Sequence, residues 1–147
     1  MLGLIQRASS ASVSIDNRIV GQINQGIVLL LGIEKDDTQA QADKLLQKVL
    51  NYRIFNDNSE KMNLSLQDIS GDLLIVSQFT LAADTKKGLR PSFSSAASPT
   101  EAKELYDYFL NQANSCHDGV IASGQFGADM QVSLCNDGPV TFLFSTN

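Results

Sequence analysis

The first third of the chain alternates short apolar runs with turn signals, and this pattern predicts strands. Gly3 to Arg7, Ala11 to Ile15, Arg18 to Ile23 and Ile27 to Gly32 are the runs, with Asp16-Asn17 as a turn and Gly26 before the last of them. Ser12, Val13, Ser14 and Ile15 alternate as in a half-exposed strand, whereas Ile27 to Leu31 is continuously apolar and is expected to be covered on both faces. After an N-cap at Asp37 or Thr38, the spacing of Ala42, Leu45, Leu46, Val49 and Leu50 predicts an amphipathic helix. Tyr52 to Phe55 reads as extended, Asn56 to Ser59 as a turn, and Leu73 to Phe79 as an apolar strand that follows Ser70-Gly71.

Leu81 to Ala97 has little periodicity and is the longest irregular stretch. A second helix start is clear: Ser98 caps, Pro99 fits the first turn and Glu101 completes a capping box. Ala102, Leu105, Tyr106, Phe109, Leu110 and Ala113 give that helix one apolar face. Val120 to Ser123, Met130 to Cys135 and Val140 to Ser145 read as closing strands, the last two joined through Asn136-Asp137-Gly138-Pro139, most simply a hairpin turn. The sum is a mixed α/β (α+β) fold, strand-rich, with sheets packed on each other and two main helices on one side. A length of 147 residues predicts a single domain, residues 1–147.

Composition narrows the chemistry. No apolar run spans a bilayer and no leader precedes the first strand, so a cytoplasmic protein without membrane attachment is expected. Net charge is −5, which excludes broad neutralisation of nucleic-acid phosphates and makes DNA an unexpected partner. One basic cluster stands out, Lys86, Lys87 and Arg90, and on charge alone it is a solvated loop. Cys116 and Cys135 show no metal spacing and read as free thiols, and no glycine-rich phosphate motif occurs, so neither a metal nor a cofactor is expected. His117 is the sole histidine and lies beside Cys116 at a turn signal, a poor start for a triad. What remains is Ser77, Gln78, Phe79 and Thr80 at the end of an apolar strand. Hydroxyl, amide and free backbone N–H groups there can orient a substrate and hold an oxyanion, or they are only polar residues at a sheet boundary.

Those two places carry a resemblance. Ser77-Gln78-Phe79-Thr80-Leu81 and Asn136-Asp137-Gly138-Pro139-Val140-Thr141 are similar to the two signatures of the bacterial D-aminoacyl-tRNA deacylase (D-tyrosyl-tRNA deacylase) family. LLLGIEKDD from Leu29, YRIFND from Tyr52, KMNLS from Lys61, GLRPSFS from Gly88 and ADMQVSL from Ala128 extend the likeness over nearly the whole chain. The opening QRASSASV, which lacks the basic residue often found between its two halves, and the tail from Phe144 to Asn147 depart from the family pattern.

The resemblance implies a layered β/β/α homodimer that hydrolyses the ester of D-aminoacyl-tRNA at its 3′ acceptor end and lets achiral glycine through as a substrate. It implies a catalytic segment Ser77, Gln78, Phe79 and Thr80. A cis Gly138-Pro139 bond, with Val140 and Thr141, would reach from the partner subunit to exclude L-substrates, and Lys86, Lys87 and Arg90 would contact tRNA. Two other classes stay open: a non-catalytic RNA-binding β-domain, and a cofactor-free hydrolase of another small ester.

Overall fold

The computed structural model describes residues 1–147. In chain order the elements are β1 (Leu2–Ile15), β2 (Arg18–Ile23), β3 (Gly26–Gly32), α1 (Gln39–Asn51), β4 (Phe55–Asn56), β5 (Met62–Leu64), α2 (Leu66–Ile69), β6 (Asp72–Ser77), a 3-10 turn (Phe79–Ala82), α3 (Pro99–Cys116), β7 (Ile121–Ser123) and β8 (Gln131–Ser145). β1 is antiparallel to β2, β3 and β8, while β3, β6 and β7 run parallel. β4 and β5 form a separate small hairpin.

The central strands β3 and β6 are covered on both faces, as the unbroken apolar run of β3 requires. Ile27, Leu29, Leu31, Leu73 and Ile75 pack against Leu45, Leu46, Val49 and Leu50 of α1 and Tyr106 and Phe109 of α3. The alternate residues Val28, Leu74 and Val76 meet Ala8, Ala11, Val13 and Ile23 in a second core. β1 is irregular between Gln6 and Ser10, and beyond that point its second half, with β2 and the start of β8, lies over β3 and β6. The layers are therefore sheet, sheet and helices, with α1 and α3 on one side.

Both long helices start where their caps predict. Thr38 and Ser98 each form a reciprocal box, with Gln41 and Glu101 respectively. Other boundaries differ from expectation. The two runs expected before Asp16 are one strand, because the bulges around Ala8 bend β1 without ending it. Met130 to Cys135 and Val140 to Ser145 are likewise one strand: Asn136 to Pro139 is no hairpin turn, since β8 continues along β1 on both sides of it. The strand predicted to Phe79 stops at Ser77, Tyr52 to Phe55 pairs only at its end, and α2 was not foreseen. No helix is long and apolar enough to cross a membrane.

Candidate active site

A pocket of about 560 Å³ opens at the carboxyl ends of the three parallel strands, the place where a parallel sheet leaves backbone groups unpaired. Leu31 and Ile33 lie at and just past the end of β3, Val76 and Ser77 end β6, Gln78 and Phe79 follow it, and Phe126 to Ala128 follow β7. Ala97, Pro99 and Ala102 at the start of α3 close one side. No lining residue is ionisable. Gln78 N–H makes the last ladder bond, to Leu31 O at 2.8 Å, and the chain then tightens into the 3-10 turn, where Leu81 N–H donates to Gln78 O at 3.2 Å. Phe79 and Thr80 open that turn, so their N–H groups have no acceptor within it. Phe79 lines the pocket and Thr80 follows it at the rim, so these two adjacent N–H groups can hold a developing oxyanion there. The Phe79 ring is 61 % exposed and rests on Phe93, ring centroids 5.0 Å apart. Thr80 does not line the pocket, and its hydroxyl accepts from the Gln78 side-chain amide.

Gly138 and Pro139 are not in this pocket. Gln6 pairs with Thr141 and Ala8 with Asn136, so Asp137, Gly138, Pro139 and Val140 lie opposite Arg7 alone and form an outward arch. The Gly138-Pro139 bond is cis, and both residues are exposed. Asn136 spans the arch from inside: its Oδ1 accepts from Val140 N–H at 2.7 Å and its Nδ2 donates to Thr141 Oγ1 at 2.9 Å. Arg7, 8 % exposed, fills the space behind, donating from Nε to Asp137 O and from a terminal nitrogen to Ile54 O, both at 2.8 Å. Gly138 has φ +140°, a region side chains avoid, and a Cβ there would stand 2.7 Å from Val140 Cγ2.

The chain matches the family model described as D-Tyr-tRNA(Tyr) deacylase over residues 4–145. It belongs to that family. It is 66 % identical over 142 residues to the D-aminoacyl-tRNA deacylase of Pseudoalteromonas translucida, covering 97 % of each chain. It is 63 % identical over 146 residues to that of Pseudomonas syringae pv. tomato, covering 99 % of this chain and 100 % of the other. Among solved structures, the c-Myc DNA Unwinding Element Binding Protein superposes with a TM-score of 0.96 at 38 % identity, covering 100 % of this chain and 99 % of that one. A probable eukaryotic D-amino acid tRNA deacylase shares the fold, with a TM-score of 0.80 at 18 % identity over 97 % of each chain.

Within this family member the remaining candidates separate clearly. Lys86, Lys87 and Arg90 are exposed and take part in no ion pair, on a loop closed by mutual backbone bonds between Asp84 and Ser92. Ser95 Oγ ties the base of that loop to the last residue of the 3-10 turn, donating to Ala82 O at 2.8 Å. His117 is buried at the far end of α3, a ring nitrogen 2.6 Å from Gly71 O. Gly71 precedes β6 and the pocket follows it, so roughly 20 Å of strand separates His117 from the site. Cys116, at the end of α3, has its thiol pushed above the ordinary range by partial burial and then by the Asp43 carboxylate. Arg7, Phe93 and Phe126 were missed from sequence. A cation inside the otherwise apolar alternation of β1 was the one legible signal, whereas the two phenylalanines had none.

Proposed function

We propose that the protein hydrolyses the ester joining a D-amino acid to the 3′-terminal ribose of tRNA, as a homodimer in the cytoplasm, without metal or organic cofactor. Family membership makes aminoacyl-tRNA the substrate. The observation that carries the mechanism is a pocket with no ionisable lining residue beside two free N–H groups. Such a wall can polarise an already activated ester and orient water, but it offers no strong base. Water adds to the ester carbonyl, the carbonyl electrons move to an oxyanion held by the Phe79 and Thr80 N–H groups, and the neighbouring ribose 2′-OH relays the proton. Collapse of the adduct breaks the bond to the 3′-oxygen, which takes that proton, and releases the amino acid, whose carboxyl group gives the second proton of the water to solvent.

The exposed Gly138-Pro139 arch lines no part of its own pocket, which supports its insertion into the pocket of a second copy. The outer sheet face offers a surface for that copy. Leu4 lies opposite both Leu30 and Leu143 in register, and Leu143 is 63 % exposed. Seated there, Gly138, Pro139, Val140 and Thr141 present main chain to the substrate Cα, so an L side chain collides while a D side chain points away. Achiral glycine passes the same filter. The unpaired cations Lys86, Lys87 and Arg90 meet phosphates near the acceptor end.

Incubation with D-tyrosyl-tRNA, L-tyrosyl-tRNA and D-tyrosine ethyl ester tests the reading. Release from the first alone is expected. Hydrolysis of the simple ester at equal efficiency would point to an unrelated esterase, and tRNA binding without hydrolysis, or equal binding of duplex DNA, would replace the enzyme with a binding module.

A further inference from the structure

We propose that Leu89 is a contact point for the unpaired nucleotides of tRNA immediately 5′ of the terminal adenosine, an apolar wedge set among phosphate-binding cations. The inference rests on the deacylase reading above. Leu89 is 103 % exposed, the most exposed of the large apolar side chains. It follows Gly88, whose φ of +72° turns the loop tip and where an added Cβ would meet nothing within 4 Å. A leucine that meets nothing of its own chain gains from burial only when a partner arrives.

Three features of the surroundings specify that partner. Lys86, Lys87 and Arg90 flank the leucine, a local positive cluster on a chain of net charge −5, which fits the closely spaced phosphates of a polyanion. The loop is a closed hairpin between Asp84 and Ser92, so its tip lies within roughly 13 Å of its base. That base is fastened to the pocket mouth by Phe93 against Phe79 and by Ser95 on Ala82. A strand whose last nucleoside sits in the pocket therefore leaves it past this tip. Unstacked bases have apolar faces and phosphates between them, and leucine with lysine and arginine complements both.

Leu89→Ser tests the assignment, because an exposed position leaves folding unaffected. With D-tyrosyl-tRNA, KM should rise about fivefold to tenfold, the gain a partly buried leucine provides, with kcat within about twofold. Its salt dependence should match wild type, since no phosphate contact is lost, in contrast to the flattened slope of a Lys86, Lys87 and Arg90 triple alanine. Hydrolysis of 3′-D-tyrosyl-adenosine, which lacks the upstream nucleotides, should be unchanged. An unaltered KM for the tRNA substrate, an equal loss on both substrates, or a shift in sedimenting mass placing Leu89 in a subunit interface would each overturn the proposal. The wild-type control separates the two levels: an inactive wild type sinks the deacylase reading, whereas an active wild type with an indistinguishable Leu89→Ser sinks only the wedge.

Discussion

Thr80 has a hydroxyl near the pocket but not in its wall, and that hydroxyl already accepts from Gln78. A nucleophile needs a base within reach, and the lining supplies none. Thr80→Val should therefore keep hydrolysis within about tenfold of wild type, less than the loss of an oxyanion donor costs; isolation of an acyl-Thr80 ester would refute this. Arg7 is the opposite case, a buried charge whose fork reaches two carbonyls. Arg7→Leu should cost about 3 kcal/mol in urea denaturation, because Ile54 O and Asp137 O lose charged donors. Arg7→Lys should recover only part, since an ammonium cannot span both. Tyr106, beneath the pocket and donating to Ile75 O at 3.1 Å, has its phenol pushed up to about 12, chiefly by burial. Because the unfolded phenol ionises first, its contribution is complete below pH ~10 and is lost as pH rises toward 12. Alkaline denaturation followed by circular dichroism should be shallower in that window for Tyr106→Phe.

At the scale of elements, α3 links stability to the site, since its first turn supplies Pro99 and Ala102 to the pocket wall. Ser98→Ala should lower stability by about 1 kcal/mol and loosen that wall. The Ser98 hydroxyl and backbone N–H hold the Glu101 carboxyl below its ordinary 4.5. The resulting stabilisation is present above that value and fades as pH falls below it, a dependence that Glu101→Gln should remove in acid titrations of thermal midpoint. These caps were legible because their chemistry is local: a hydroxyl, a carboxylate three residues on and an apolar stripe suffice. β8 was misread for the same reason. Asn-Asp-Gly-Pro carries every local sign of a turn, and only pairing with β1, more than a hundred residues away, keeps the strand going around the arch. The four-residue α2, with Ser65 and Asp68 as its box, was too short to show a period.

Over the whole molecule, the layered arrangement follows from the sequence pattern, but the pocket does not, because it is assembled from the ends of β3, β6 and β7 and the start of α3. The Ser77–Thr80 segment could be singled out as the polar end of an apolar strand, and the arch only by its proline. How the two meet depends on assembly, and mixing experiments can decide it. Ala97→Trp fills the pocket while leaving the arch intact; Gly138→Ala distorts the arch, where the new Cβ meets Val140 and Arg7, while leaving the pocket intact. Each variant alone should hydrolyse D-tyrosyl-tRNA poorly, and the second should also lose preference over L-tyrosyl-tRNA. If the arch serves the other subunit, refolding the two together at equal amounts makes half the dimers mixed. Each mixed dimer unites one intact pocket with one intact arch, restoring about a quarter of the wild-type rate with its chiral preference. An arch acting on its own pocket would give no recovery, since no subunit then carries both intact parts. Leu143→Glu should break the leucine row and yield folded monomers that fail to hydrolyse D-tyrosyl-tRNA, as sedimentation and activity on one sample would show. Activity in those monomers would refute the shared site.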